Sequence, residues 1–174
     1  MEFSLEQGTE VLRATPGALR AMLSGLSDGW TNGDEGPGTW STWQVLGHLT
    51  HVEETDWMDR TKIILEHGTS REFDPVDREA GFVRFAGWTV EQLLDRFEAA
   101  REGNLEELGL LVSDGDLARR GVHPTFGEVT LDQLLATWVV HDLNHTGQMV
   151  KAMAKQYRDA IGPWREYLAI VDTP

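Results

Sequence analysis

The chain contains no cysteine. Disulfides, thiolate metal ligands and a cysteine nucleophile are therefore excluded, although a thiol-bearing substrate is not. Cationic side chains are scarce too: 15 lysines and arginines face 29 aspartates and glutamates, a formal charge of −14. Such a field repels a polyanionic backbone, so nucleic acid is not expected as a partner, and anionic membranes are disfavoured in the same way. No long apolar run exists. The most apolar stretch, residues 134–140, falls far short of the ~20 residues that span a bilayer. Met1-Glu2-Phe3-Ser4-Leu5-Glu6 lacks the basic and then apolar regions of a signal peptide, so a cytoplasmic location is the default expectation. Strand signals are nearly absent.

What remains is ordinary globular material, 40% hydrophobic and 25% charged, in 174 residues. That length suits one domain, 1–174, with a real core. Amphipathic periodicity marks four long helices. The first spans residues 4–26 and contains Pro16, which should kink it or open a fresh helical turn. The second spans 41–66, from a Ser41/Gln44 capping box to His67-Gly68. The third spans 89–111, opening on Thr89 with Gln92. The fourth spans 130–158, opening on Thr130 with Gln133. A short final helix follows Gly162-Pro163. Residues 71–88 read as a crossover loop with one helical turn at its centre, and 112–129 as a second long loop. The expected fold is all-α, a four-helix bundle with long crossover loops and a short C-terminal helix.

Histidines then draw attention. At ~100° per residue, Leu134, Trp138, His141, His145, Gln148 and Ala152 lie within about 40° of one line on the fourth helix. On the second helix His48 points inward with Val45 and Val52, while His51 is rotated to the edge of the apolar arc. His48, His141 and His145 can therefore converge as three nitrogen ligands with coordination positions left open. Buried unpaired imidazoles are costly, and a divalent cation removes that cost. The zinc-protease helix motif does not apply, because Asp142 stands where it needs glutamate.

Other polar residues take plainer readings. Glu53-Glu54 and Glu106-Glu107 read as solvated faces, and His51 and His67 as surface residues. Asp142 reads as orienting a neighbouring group, and Gln148 as contacting a ligand histidine. Asp77-Arg78 reads as an ion pair holding the crossover loop rather than a ligand entrance. His123-Pro124 reads as turn-forming. Trp43 and Trp138 read as core, and Trp164 as packing the last helix onto the bundle.

Several segments together resemble the DinB-like (damage-inducible) family of metalloenzymes. They are 40–49 (WSTWQVLGHL), Asp77-Arg78, 123–131, 138–148 (WVVHDLNHTGQ) and 162–168 (GPWREYL). The resemblance covers about residues 5–170. It implies a four-helix bundle, often a homodimer, with a divalent transition metal, typically nickel or zinc, on three histidines that fall on His48, His141 and His145. The resemblance carries metal binding and no reaction; an open-sided three-histidine ion can acidify bound water or bind a substrate thiol, so the expectation is a metal-dependent enzyme acting on a small molecule, a hydrolase or a transferase using a low-molecular-weight thiol. The rival expectation is a non-catalytic, stress-associated metal-binding bundle.

Overall fold

The computed structural model describes residues 2–172. Helix α1 (Leu5–Leu23) is capped by Ser4, whose hydroxyl accepts from Gln7 N–H. A single turn, α2 (Asp28–Thr31), follows it. Next come α3 (Thr42–Thr55) and α4 (Trp57–His67), then one short helix in the crossover, α5 (Ala80–Arg84). Helices α6 (Val90–Leu111) and α7 (Leu131–Lys155) complete the bundle. Two 3-10 segments, Gly162–Tyr167 and Ala169–Val171, stand where one C-terminal helix was expected. Helices α6 and α7 each pack against both α1 and α3, so α1 and α3 lie on a diagonal of the four-helix bundle.

The T/S-x-x-Q starts behave as expected. Gln44 and Gln92 return their side-chain oxygens to the Ser41 and Thr89 N–H groups at 2.9 Å each, and Gln133 does so to Thr130 at 3.0 Å. Each bond satisfies a backbone donor next to a helix start that has no intrahelical acceptor. Gly68 closes α4 at φ +57°, a conformation side-chain-bearing residues rarely adopt.

Four expectations need correction. Pro16 does not open a fresh helix, because α1 is continuous through it. The expected second helix is two, broken at Asp56 (φ −128°, ψ −66°). No Pro or Gly marks that break. Asp56 is buried there and pairs with Arg60 Nε at 2.6 Å. Residues 112–129 are no mere loop, because β1 (Arg120–His123) and β2 (Gly127–Thr130) form an antiparallel hairpin, Arg120 opposite Thr130 and His123 opposite Gly127. His123 Nδ1 accepts the N–H groups of Thr125 and Phe126, which confirms its turn-forming role. Trp164, finally, is 67% exposed rather than packed on the bundle.

The core has two apolar halves. Leu12, Val52, Trp57, Leu108 and Trp138 belong to one, and Leu19, Leu46, Leu49, Phe97 and Met149 to the other. Along each helix, the residues between the halves are polar or special: Pro16 on α1, Glu53 beside the boundary on α3, Arg101 on α6, and His141, Asp142 and His145 on α7. A polar layer crosses the bundle, and the histidines lie in it.

Candidate metal centre

Helix α3 supplies His48 and α7 supplies His141 and His145, one helical turn apart. One ring nitrogen from each of the three lies within 4.8 Å of the others. The ring centroids are 5.2 Å apart for His48–His141, 4.8 Å for His48–His145 and 4.3 Å for His141–His145. His51 takes no part in this cluster. It is half-buried rather than a surface residue, and its Nδ1 has no partner.

The surrounding bonds decide which nitrogen of each ring faces the cluster. His48 Nδ1 lies 3.0 Å from the Arg78 carbonyl oxygen, which can only accept, so Nδ1 carries the proton. His145 Nδ1 lies 2.7 Å from Gln148 Oε1, again an acceptor, so Nδ1 carries the proton there too. Both rings then present an unprotonated Nε2. The Nε2 of His141 comes within 3.2 Å of the Nε2 of His48, while its own Nδ1 is buried without a hydrogen-bond partner. Without an ion, a proton on His141 Nε2 can be donated to His48 Nε2, whereas a cation among the three rings engages all three nitrogens at once. The donor set therefore fits a divalent transition ion, which neutral imidazoles bind well.

Protonation of these rings is strongly opposed. Burial, followed by the neighbouring His145, lowers the His48 pKa to about 4. Burial, followed by His145 and His48, lowers His141 to about 2. Burial also lowers His145, with the Gln148 hydrogen bond pulling the other way. At neutral pH all three are uncharged, the state that metal ligation requires.

Beside the cluster lies a second arrangement that the sequence reading missed. Arg101, fully buried on α6, donates to both Glu53 oxygens at 2.8 Å each and to both Asp142 oxygens at 2.7 and 3.1 Å. Its Nη1 also donates to the Leu12 carbonyl at 2.7 Å. That carbonyl is four residues before Pro16, whose missing N–H leaves it without a helical partner. Proline and arginine thus complete each other across α1 and α6. Glu53 accepts two further bonds, from Trp138 Nε1 at 3.1 Å and Asn104 Nδ2 at 3.0 Å. Burial alone would lower the guanidinium's pKa, but Glu53 and Asp142 more than reverse this and raise it.

Glu53 and Glu54 are therefore not a solvated face. Glu53 is buried in the network, and the largely buried Glu54 pairs with Arg84 at 2.7 Å and with Arg96. Asp142 does orient a neighbouring group, but that group is Arg101 rather than a histidine. A signal was available: Arg101 shares the inward stripe of Leu94, Phe97 and Leu108, where an arginine needs buried anions.

Above the histidines sits Trp40, 5.1 Å from the His48 ring and stacked on His145 at 6.3 Å and 9°. The Arg78 guanidinium lies 5.6 Å from the Trp40 centroid. Arg78 forms no ion pair with Asp77 among the described residues; Asp77 Oδ1 accepts from Glu79 N–H instead. The crossover loop contributes its backbone, since the Arg78 carbonyl fixes the His48 ring. Gly81 makes that approach feasible: a Cβ there would sit 2.6 Å from the Gly47 carbonyl of α3.

Solved structures that share the fold include the following two. YfiT from Bacillus subtilis, described as a probable metal-dependent hydrolase with an unusual four-helix bundle topology, is 22% identical with a TM-score of 0.74 over 88% of this chain and 90% of its own. TT2238, a four-helix bundle protein, is 21% identical with a TM-score of 0.57 over 82% of this chain and 94% of its own. No curated protein matches the sequence. No helix among the described residues is long and apolar enough to cross a membrane. The DinB superfamily pattern matches residues 12–149, which include all three clustered histidines, and the chain belongs to that superfamily.

Proposed function

We propose that His48, His141 and His145 hold one divalent transition ion, nickel or zinc, through their Nε2 atoms, and that the protein is a metal-dependent enzyme acting on a small molecule. The observation carrying this reading is the fixed tautomer of His48 and His145, each with Nδ1 committed to an outside acceptor and Nε2 turned to the cluster. Three protein ligands leave coordination positions open, whereas structural zinc sites are closed by four. When bound, such an ion acidifies a coordinated water or thiol. The chain's own residues position the ligands: the Arg78 carbonyl and Gln148 orient two imidazoles, and Trp40 covers them against bulk water.

Hydrolysis is the first reading, supported by the description of the YfiT relative. Transfer of a low-molecular-weight thiol is the second, and a specific observation favours it. The two buried carboxylates nearest the cluster in sequence, Glu53 and Asp142, are both held by Arg101, so neither is free to accept a proton from water. Elemental analysis of the purified protein, then a panel of ester, amide and thiol-plus-electrophile substrates with metal-loaded and chelated protein, separates these readings. Retention of full metal content after His48→Ala sinks the ligand assignment. Activity that is unchanged by chelation sinks the metal dependence, and no activity on any substrate with metal-loaded protein sinks the enzyme reading.

A further inference from the structure

In a chain of net charge −14, a cation without a carboxylate partner is unusual. Every lysine and arginine except Arg13 and Arg78 forms an ion pair among the described residues. Arg13 lies on α1, away from the histidines. Arg78 lies at the rim of the trihistidine cluster: its carbonyl fixes His48, and its guanidinium spreads over Trp40, which in turn covers His48 and His145. A cleft of about 400 Å³ opens here, with Arg78, Trp40, Thr39 and Gln148 among its walls. Gln148 belongs both to this cleft and to the cluster, through its bond to His145.

The cleft also holds two carboxylates. Glu35 is held by Lys151 at 3.0 Å and Lys155 at 2.8 Å, so two cations offset its charge. Glu79 is exposed beside Arg78 and, among the described residues lining the cleft, is the carboxylate that no ion pair offsets. The cleft therefore combines an apolar indole wall, a free planar guanidinium and, in Gln148, a side chain bonded to one of the clustered histidines.

From this juxtaposition we infer that Arg78 is a specificity-determining residue, which binds a carboxylate on the substrate whose reactive end lies at the histidine cluster. A guanidinium presents a fork of donors that matches a carboxylate, and its cation–π contact with Trp40 reduces the freedom it has left to lose on binding. In an otherwise acidic protein the same charge admits a small anion at this one point. The inference rests on the metal site proposed above.

The test uses the full chain loaded with cobalt(II), whose visible spectrum reports a new ligand on the ion. Alkyl hydroxamates of matched chain length, ending in a carboxylate, a primary amide or an ammonium, serve as probes. The carboxylate-ended probe binds about tenfold more tightly than the amide, and the ammonium-ended probe binds most weakly. Arg78→Gln removes this order and Arg78→Lys keeps part of it. Glu79→Gln, in contrast, tightens the carboxylate-ended probe. Cobalt content is measured for each variant, because the backbone carbonyl at position 78 orients His48 whatever side chain it carries. Equal affinity for the three probes, an order that survives Arg78→Gln, or no gain from Glu79→Gln overturns the inference while leaving the metal site intact. Failure to take up cobalt, or a spectrum that no hydroxamate changes, overturns the open metal site and this inference with it.

Discussion

Replacing Arg101 with methionine tests the physical account of the polar layer most directly. The side chain donates to both oxygens of Glu53, both oxygens of Asp142 and the Leu12 carbonyl, all inside the bundle. Methionine fills comparable volume but supplies no donor. Two carboxylates and one carbonyl then lose their main partner where water cannot replace it. Breaking a buried ion pair from one side costs about 3–5 kcal/mol. Small domains have about 5–15 kcal/mol of total stability, so the variant should lie near the edge of folding. Urea unfolding followed by tryptophan fluorescence is a suitable assay, since Trp138 itself donates into the network. Combining Arg101→Met with Glu53→Leu and Asp142→Leu should recover most of the loss, as apolar replacements of whole buried ion clusters often do. A single-variant loss below about 1 kcal/mol, or a triple variant no better than the single, would refute the reasoning.

Three further outcomes follow. In the metal-free protein the depressed His48 pKa means that the unfolded chain, near 6.5, binds protons before the folded one, so stability falls as pH drops from about 6.5 towards about 4 and then levels off for this group. Melting curves against pH should show this fall in chelated protein and a smaller one in His48→Leu; identical curves would remove His48 from the account. Gly81→Ala drives a Cβ to 2.6 Å from the Gly47 carbonyl and should cost about 1–3 kcal/mol by thermal melting, because backbone rather than a flexible side chain must yield. If the chain pairs as the family resemblance implies, the outer face of α7, where Val140 and Leu143 are 61% and 55% exposed, is the surface to test; Leu143→Glu should then leave a monomer of unchanged helicity by light scattering and circular dichroism, and a wild-type chain that is monomeric at every concentration removes the proposal.

The long helices were legible because their signals are local. A capping side chain and a 3.6-residue apolar stripe both act within one segment, and Ser41/Gln44 and Thr89/Gln92 place their helix starts to within a residue. The inward reading of His48 rests on the same stripe, and its burial agrees. What escaped depends on partners distant in sequence. Glu53 looks like a solvated carboxylate until Arg101, 48 residues away, arrives from α6. Pro16 looks like a break until the same arginine takes up the carbonyl it frees. The β-hairpin has strands of four residues, too short for alternation to rise above chance, and β1 is further tied to the crossover by Phe73 N–H donating to the Val122 carbonyl. The Arg78 contact with His48 is made by backbone, which side-chain identity cannot encode.

One turn of α7 links the polar layer to the chemistry. Successive residues on a helix are rotated by ~100°, so His141 and Asp142 cannot face the same neighbour. His141 and His145 turn towards α3 and meet His48, while Asp142 turns towards α6 and meets Arg101. Rotation of α7 about its axis would break both contacts together. The buried ion cluster therefore acts as a rotational lock on the helix that carries two of the three histidines, and Glu53 extends the lock to the helix that carries the third. A wholly apolar layer here could be as stable or more so, but apolar side chains would tolerate small rotations that a bidentate guanidinium does not. A three-nitrogen site whose productive geometry tolerates about 0.5 Å needs that rigidity. Arg101→Met/Glu53→Leu/Asp142→Leu should then fold well yet bind metal more weakly than the wild type, a separation of stability from site geometry that metal titration of the triple variant can read directly.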